Sequence, residues 1–202
     1  MVNSYKELKS FLESLTERPK LLLHSCCAPC STHVIMLLKK YFDITVFYSN
    51  DNIFPKEEFI KRLNEEIKFC QSQEINVIFD EYNEEDYLFA IKGYETLGEK
   101  SLRCYECYKL RLLKTVMKAK QLGFDYFTTT LSISPHKNSK WINEIGMELE
   151  DTYRVKFLYS DFKKEEGYKN SVKLAKDYDL YRQDYCGCRY SLNERSLSHG
   201  KN

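Results

Sequence analysis

No apolar run in this chain of 202 residues approaches membrane-spanning length, and the amino terminus, Met1-Val2-Asn3-Ser4-Tyr5-Lys6, lacks a basic segment followed by an apolar one. These absences predict a cytoplasmic protein with no membrane partner. An excess of one charge is missing too: 31 Lys and Arg stand against 30 Asp and Glu, for a formal net charge of +1. Nothing global therefore calls for a nucleic acid or an acidic ligand, and such a partner has to be met by a local patch. No internal repeat or low-complexity segment appears, so the chain is not a repeat array.

Cysteine is abundant instead, with eight residues. A reducing compartment disfavours a disulfide framework, so their grouping matters more than their number. Cys26, Cys27 and Cys30 form one group, Cys104 and Cys107 a second, Cys186 and Cys188 a third, and Cys70 stands alone. Separated groups of this kind predict one site gathered by the fold. With 43% hydrophobic and 30% charged residues, the chain suits a single domain over 1–202. Within it we expect an N-terminal helix over 1–18 and a C-terminal metal-binding segment and tail over 181–202.

Strand-like and helical patterns alternate along the chain. Ser4-Tyr5-Lys6-Glu7 has the form of a capping box, and Leu8, Phe11, Leu12 and Leu15 follow at helical spacing. Strands are predicted at residues 20–25, 44–48, 75–79, 124–130 and 156–160, with the main helices near 31–41, 56–73, 103–121, 138–154 and 172–180. This order predicts an α/β fold with a mostly parallel sheet of about five strands and helices on both faces. Right-handed crossovers bring three loops to one edge of such a sheet: His24-Ser25-Cys26-Cys27-Ala28-Pro29-Cys30, the polar loop from Ser49 to Pro55, and the hydroxyl-rich loop from Thr128 to Lys137. Cys70 lies on the stripe of Phe59, Ile60, Leu63 and Ile67 and reads as core.

The thiols carry the chemistry. Cys104-x-x-Cys107 at a helix start directs two sulfurs to one ion, and Gly187 between Cys186 and Cys188 permits a tight loop. Adjacent residues in extended chain point to opposite sides, so Cys26 and Cys27 predict two neighbouring metal centres. Seven grouped cysteines exceed the four ligands of a structural zinc, while a [4Fe-4S] cluster uses four and leaves others for a second centre. Asp184 offers an oxygen ligand for a mononuclear metal. Other readings are structural zinc with spare thiols, a thioredoxin-like thiol-disulfide oxidoreductase using Cys27-Ala28-Pro29-Cys30, and a zinc-stabilised RNA-binding module. The last draws on Arg103, Lys109, Arg111, Lys114, Lys118 and Lys120 against Glu106 alone.

Taken together, the motifs resemble those of the cobalamin-independent epoxyqueuosine reductase family. They are His24-x-Cys26-Cys27-Ala28-Pro29-Cys30, Tyr48-x-Asn50-x-Asn52-Ile53-x-Pro55, Arg103-Cys104-x-x-Cys107-Tyr108, Thr129-Thr130-Leu131-x-x-Ser134-Pro135 and Arg182-Gln183-Asp184-Tyr185-Cys186-Gly187-Cys188. The resemblance implies a HUP-like (Rossmann-like) domain that reduces epoxyqueuosine to queuosine at the wobble position of tRNA, using a [4Fe-4S] cluster beside a mononuclear iron and an external electron donor. On that basis Cys104, Cys107, one of Cys26 and Cys27, and one of Cys186 and Cys188 are expected to hold the cluster. The remaining member of each of the last two pairs, with Asp184, is expected to hold the iron. Cys30 is a ligand, redox or tuning candidate, His136, Lys137 and Arg182 are candidates for proton donation or phosphate binding, and Tyr48, Asn50, Asn52 and Ser134 for the modified base.

Overall fold

Leu21, Leu22 and Leu23 are fully buried in β1, Lys20–His24, because this strand is the centre of the sheet and is covered on both faces. Successive side chains alternate across a strand, so Leu21 and Leu23 join one core and Leu22 the other. The first core receives Val34, Ile35 and Leu38 of α2, Ala28–Leu38, together with Phe69 of α3, Lys56–Ser72. The second receives Leu112 and Val116 of α5, Leu102–Leu122, with Ile142 and Ile145 of α6, Ser139–Tyr153. Each of these side chains contributes about 1.5–3 kcal/mol by leaving water.

The computed structural model describes residues 4–199, and the side chains of Ser4, Ser198 and His199 are outside that description. The capping role expected of Ser4 and the outer ends of the 1–18 and 181–202 segments therefore lie outside the described residues. The sheet also holds β2, Asp43–Tyr48, β3, Asn76–Phe79, β4, Tyr126–Thr129, and β5, Lys156–Phe157. Its order is β3-β2-β1-β4-β5 and every pairing is parallel, in the Rossmann-like α/β arrangement expected. The chain leaves β1 toward β2 and later returns to β1's other side as β4. That reversal opens a crevice beyond the carboxyl ends of β1 and β4, where ligands of open α/β sheets bind.

Several boundaries differ from expectation. The first helix, α1, Ser4–Ser14, stops short of Arg18, and α2 begins at Ala28 because Pro29 fits the first helical turn. The strand near 156–160 is only two residues long. A 3-10 turn, Thr130–Ile133, occupies the hydroxyl-rich loop. The acidic run over 80–86 opens a short helix as its pattern leads one to expect, α4, Glu84–Ala90, whereas α7, Gly167–Asp177, starts before Val172. The tail carries an unanticipated helix, α8, Arg189–His199.

Candidate metal centre

The thiol loop is shaped by the exit from β1. The Ser25 amide still bonds the Phe47 carbonyl (2.9 Å), the backbone bends at Cys26, and Cys27 caps α2 with its carbonyl accepting from the Cys30 amide (3.0 Å). The bend turns neighbouring side chains toward one another: the Sγ atoms of Cys26 and Cys27 are 3.8 Å apart, and with Cys30 they lie within 4.8 Å of one another. The opposed directions expected for Cys26 and Cys27 are thus corrected, since that argument required extended chain at Cys26. Hydrogen bonds from Cys27 and then Cys30, followed by the charges of Lys137 and Arg111, hold the Cys26 thiol well below the usual range. The hydrogen bond to Cys26, then burial, pushes Cys27 up to about 12 against the Cys30 contact, and hydrogen bonds to Cys26 and Cys27, then burial, raise Cys30.

Behind the loop stands a buried polar layer. Asn50 donates through Nδ2 to the Ser25 carbonyl (2.8 Å) and accepts at Oδ1 from Arg111 Nη2 (2.5 Å). His24 lies between Thr129 Oγ1 (2.8 Å) and the Ser49 carbonyl (3.2 Å), and burial followed by the Arg111 charge lowers it to about 3, so its ring is neutral. Ser25 Oγ donates to Glu66 Oε2 (2.8 Å). Tyr48 is buried with its hydroxyl on the Phe59 carbonyl (3.2 Å). Tyr48, Asn50 and Asn52 were expected to line the pocket. They are buried away from its wall: Tyr48 reaches Phe59, Asn50 reaches Ser25 and Arg111, and Asn52 is buried with its Oδ1 unpaired.

In front of the loop opens a cavity of about 670 Å³, onto which Cys26, Cys30, Cys104 and Cys186 face. Cys107 and Cys188 are buried behind them, packed with Tyr87 and Ile91. All three thiol groups therefore gather at one place. Burial, then neighbouring thiols, pushes Cys107 up to about 12, while burial raises Cys104. Ser134, His136, Lys137 and Arg182 share the wall. Arg182 Nη2 donates to the Tyr168 hydroxyl (2.7 Å), and Lys137 is held cationic by Cys186, Cys26 and Cys30 against the effect of burial. Asp184 stands at the half-open rim in an ion pair with Arg195. The donor set suits metal: several sulfurs and the carboxylates of Glu99, Asp184 and Glu194 around a void, with cations beside them.

Four participants were missed from sequence: Arg62, Glu66, Arg111 and Gln183. Arg62 and Glu66 lie on the buried face of α3 with Phe59, Leu63 and Phe69. A charged residue on an apolar stripe was the available signal. The basic series of α5 has another explanation than RNA. Arg111 is buried, Lys114 pairs with Asp51 (2.5 Å) and Asp86 (2.6 Å), Lys118 with Asp80 (3.2 Å), and Arg103 with Glu194 (3.0 Å). No helix among the described residues is long and apolar enough to cross a membrane.

Residues 21–194 match the protein family described as Epoxyqueuosine reductase QueH. The Epoxyqueuosine reductase QueH of Streptococcus pyogenes serotype M1 is 41% identical over 198 residues, covering 95% of this chain and 78% of that protein. That of Thermotoga maritima is 38% identical over 183 residues, covering 89% and 94%. Among solved structures, the U34-tRNA thiolase NcsA from Methanococcus maripaludis with its [4Fe-4S] cluster superposes with a TM-score of 0.59 at 16% identity, covering 93% of this chain and 67% of that one. At that identity the likeness speaks for the fold alone.

Proposed function

The chain belongs to the Epoxyqueuosine reductase QueH family and is an oxidoreductase, and from this premise we propose that it reduces epoxyqueuosine to queuosine at the wobble position of tRNA with a [4Fe-4S] cluster beside a mononuclear iron. The observation that carries this reading is the convergence of sulfurs from three distant segments on one cavity. Removing the epoxide oxygen as water breaks two C–O bonds, forms a C=C bond and consumes two electrons and two protons. The electrons come from an external donor. When bound, the cluster would pass electrons singly and an open-sided iron would act as a Lewis acid toward oxygen.

Cys104, Cys107, one of Cys26 and Cys27, and one of Cys186 and Cys188 are the proposed cluster ligands. The other sulfur of each of those last two pairs, with Asp184, is proposed for the iron, and Cys30 is added because its sulfur stands within the same trio. Asp184 has to exchange its Arg195 partner for the metal. Lys137, His136 and Arg182 line the cavity and are proposed to supply protons or hold a tRNA phosphate, and Ser134 to contact the base. The whole chain over 1–202 is proposed to act as one domain, in the cytoplasm where its tRNA is found.

Anaerobically purified protein should contain iron and sulfide and show the broad visible absorbance of an iron-sulfur protein. Incubated with reductant and tRNA carrying epoxyqueuosine, it should yield a nucleoside lacking one oxygen by mass spectrometry. Colourless protein holding only zinc, with the epoxide left intact, would sink the proposal.

A further inference from the structure

Arg62 is 2% exposed and shares the buried face of α3 with Glu66. A guanidinium in such a place is unfavourable unless anions and acceptors surround it. Nε donates to Glu58 Oε1 at 2.7 Å, and Nη1 to the Cys186 carbonyl at 3.4 Å. Nη2 is buried with no partner. The group lies over the Tyr185 ring, 5.0 Å from its centroid, and belongs to the wall of the thiol-lined cavity.

The segment before α8 is fitted to this arginine. A Cβ at Gly187 would come 3.1 Å from Arg62 Nη1, so the glycine between the two cysteines lets the chain lie against the guanidinium, and its φ of +130° suits glycine. Next along the same segment, Gln183 Nε2 donates to Cys27 Sγ at 3.0 Å while its Oε1 is also buried without a partner. Gln183 thus joins the segment before α8 to the Cys26-Cys27-Cys30 loop, Arg62 ties the Cys186-Gly187-Cys188 segment to α3, and each keeps a polar atom unspent.

We propose that Arg62 is a positioning residue that holds the Cys186-Gly187-Cys188 segment against α3 and places a positive charge in the wall beside the sulfur-bound centre, raising its reduction potential. The inference rests on the iron reading given above. Reduction adds negative charge to the centre, and a nearby cation or N–H donor favours that state.

A purely structural pin and an electrostatic one separate by the sign of a potential shift. The full-length, iron-loaded protein is compared with Arg62→Gln, Arg62→Lys and Glu58→Gln, measuring iron content and the midpoint potential by reductive titration followed in visible absorbance. Arg62→Gln should shift the potential downward, and Arg62→Lys, which keeps the charge, should fall between it and wild type. Glu58→Gln removes the anion that offsets Arg62 and should shift the potential upward. Where Arg62→Gln loses its iron, Glu58→Gln decides, and an unchanged or lowered potential there overturns the proposal. Downward shifts in both also overturn it. Wild-type protein without reducible iron defeats the cofactor reading and this inference with it, whereas iron-loaded wild type with unshifted variants defeats this inference alone.

Discussion

The sulfurs of Cys26 and Cys27 stand 3.8 Å apart, and Cys30 completes a trio within 4.8 Å. A tetrahedral ion with bonds of about 2.3 Å holds its sulfur ligands roughly 3.8 Å apart, so the trio has the dimensions of a metal-binding face.

The same spacing makes Cys30 a test of the site. Cys30→Ser should lower the iron bound per chain and cut turnover of epoxyqueuosine tRNA at least about tenfold, on the scale of effects seen when metal sites are disturbed. Cys70 is the control: it is fully buried in the first core, with its thiol on Glu66 Oε1 at 3.5 Å. Cys70→Ala should retain iron and turnover and lose about 1 kcal/mol of stability. Full iron and turnover in Cys30→Ser would remove Cys30 from the ligand candidates.

Glu66 gives a pH dependence of known sign. Burial is the leading cause that raises its carboxyl from 4.5 to about 7, against hydrogen bonds from Ser31, Ser25 and Cys70. The folded state therefore holds the proton more tightly than the unfolded chain. That stabilisation is present in full below about pH 4.5 and is lost as pH rises through about 7, a difference of roughly 3 kcal/mol. Glu66→Gln keeps an acceptor for Ser25 and has no charge to bury. Urea unfolding at pH 5 and pH 8 should show wild type losing more stability than the variant over that interval. Parallel losses in both proteins would show that Glu66 is not the group responsible.

Legibility from sequence followed the range of the interactions. The alternating pattern and the Leu21-Leu22-Leu23 run are local, and they led to the parallel sheet and the crevice above it. The inward turn of Cys26 depends on one backbone bend, which residue types do not announce. Arg62 and Glu66 read as surface letters although α3 buries them. The carboxylates that match the basic series of α5 come from Asp51, Asp80 and Asp86, far away in sequence. In α8 the apolar stripe is too weak to mark a helix, and its Leu197 is 70% exposed.

A last prediction concerns the layer that carries the Lys137 loop. Gly146 lies on the buried face of α6, and a methyl group added there would fall within the ring of Phe157 on β5. That ring cannot simply withdraw, because it packs against Phe127 with centroids 5.1 Å apart. Gly146→Ala improves helix propensity by about 1 kcal/mol, yet overpacking a closed core costs about 1–3 kcal/mol, and the steric effect should prevail. We expect a lower thermal midpoint with iron content unchanged, since the added methyl group meets Phe157, which packs on Phe127, and no thiol. Phe157→Leu also destabilises alone, but the double variant should lose less than the sum of the two, because the smaller side chain makes room for the methyl. Additive losses in thermal unfolding of the four proteins would show that the helix moves away from the sheet instead of pressing on the ring.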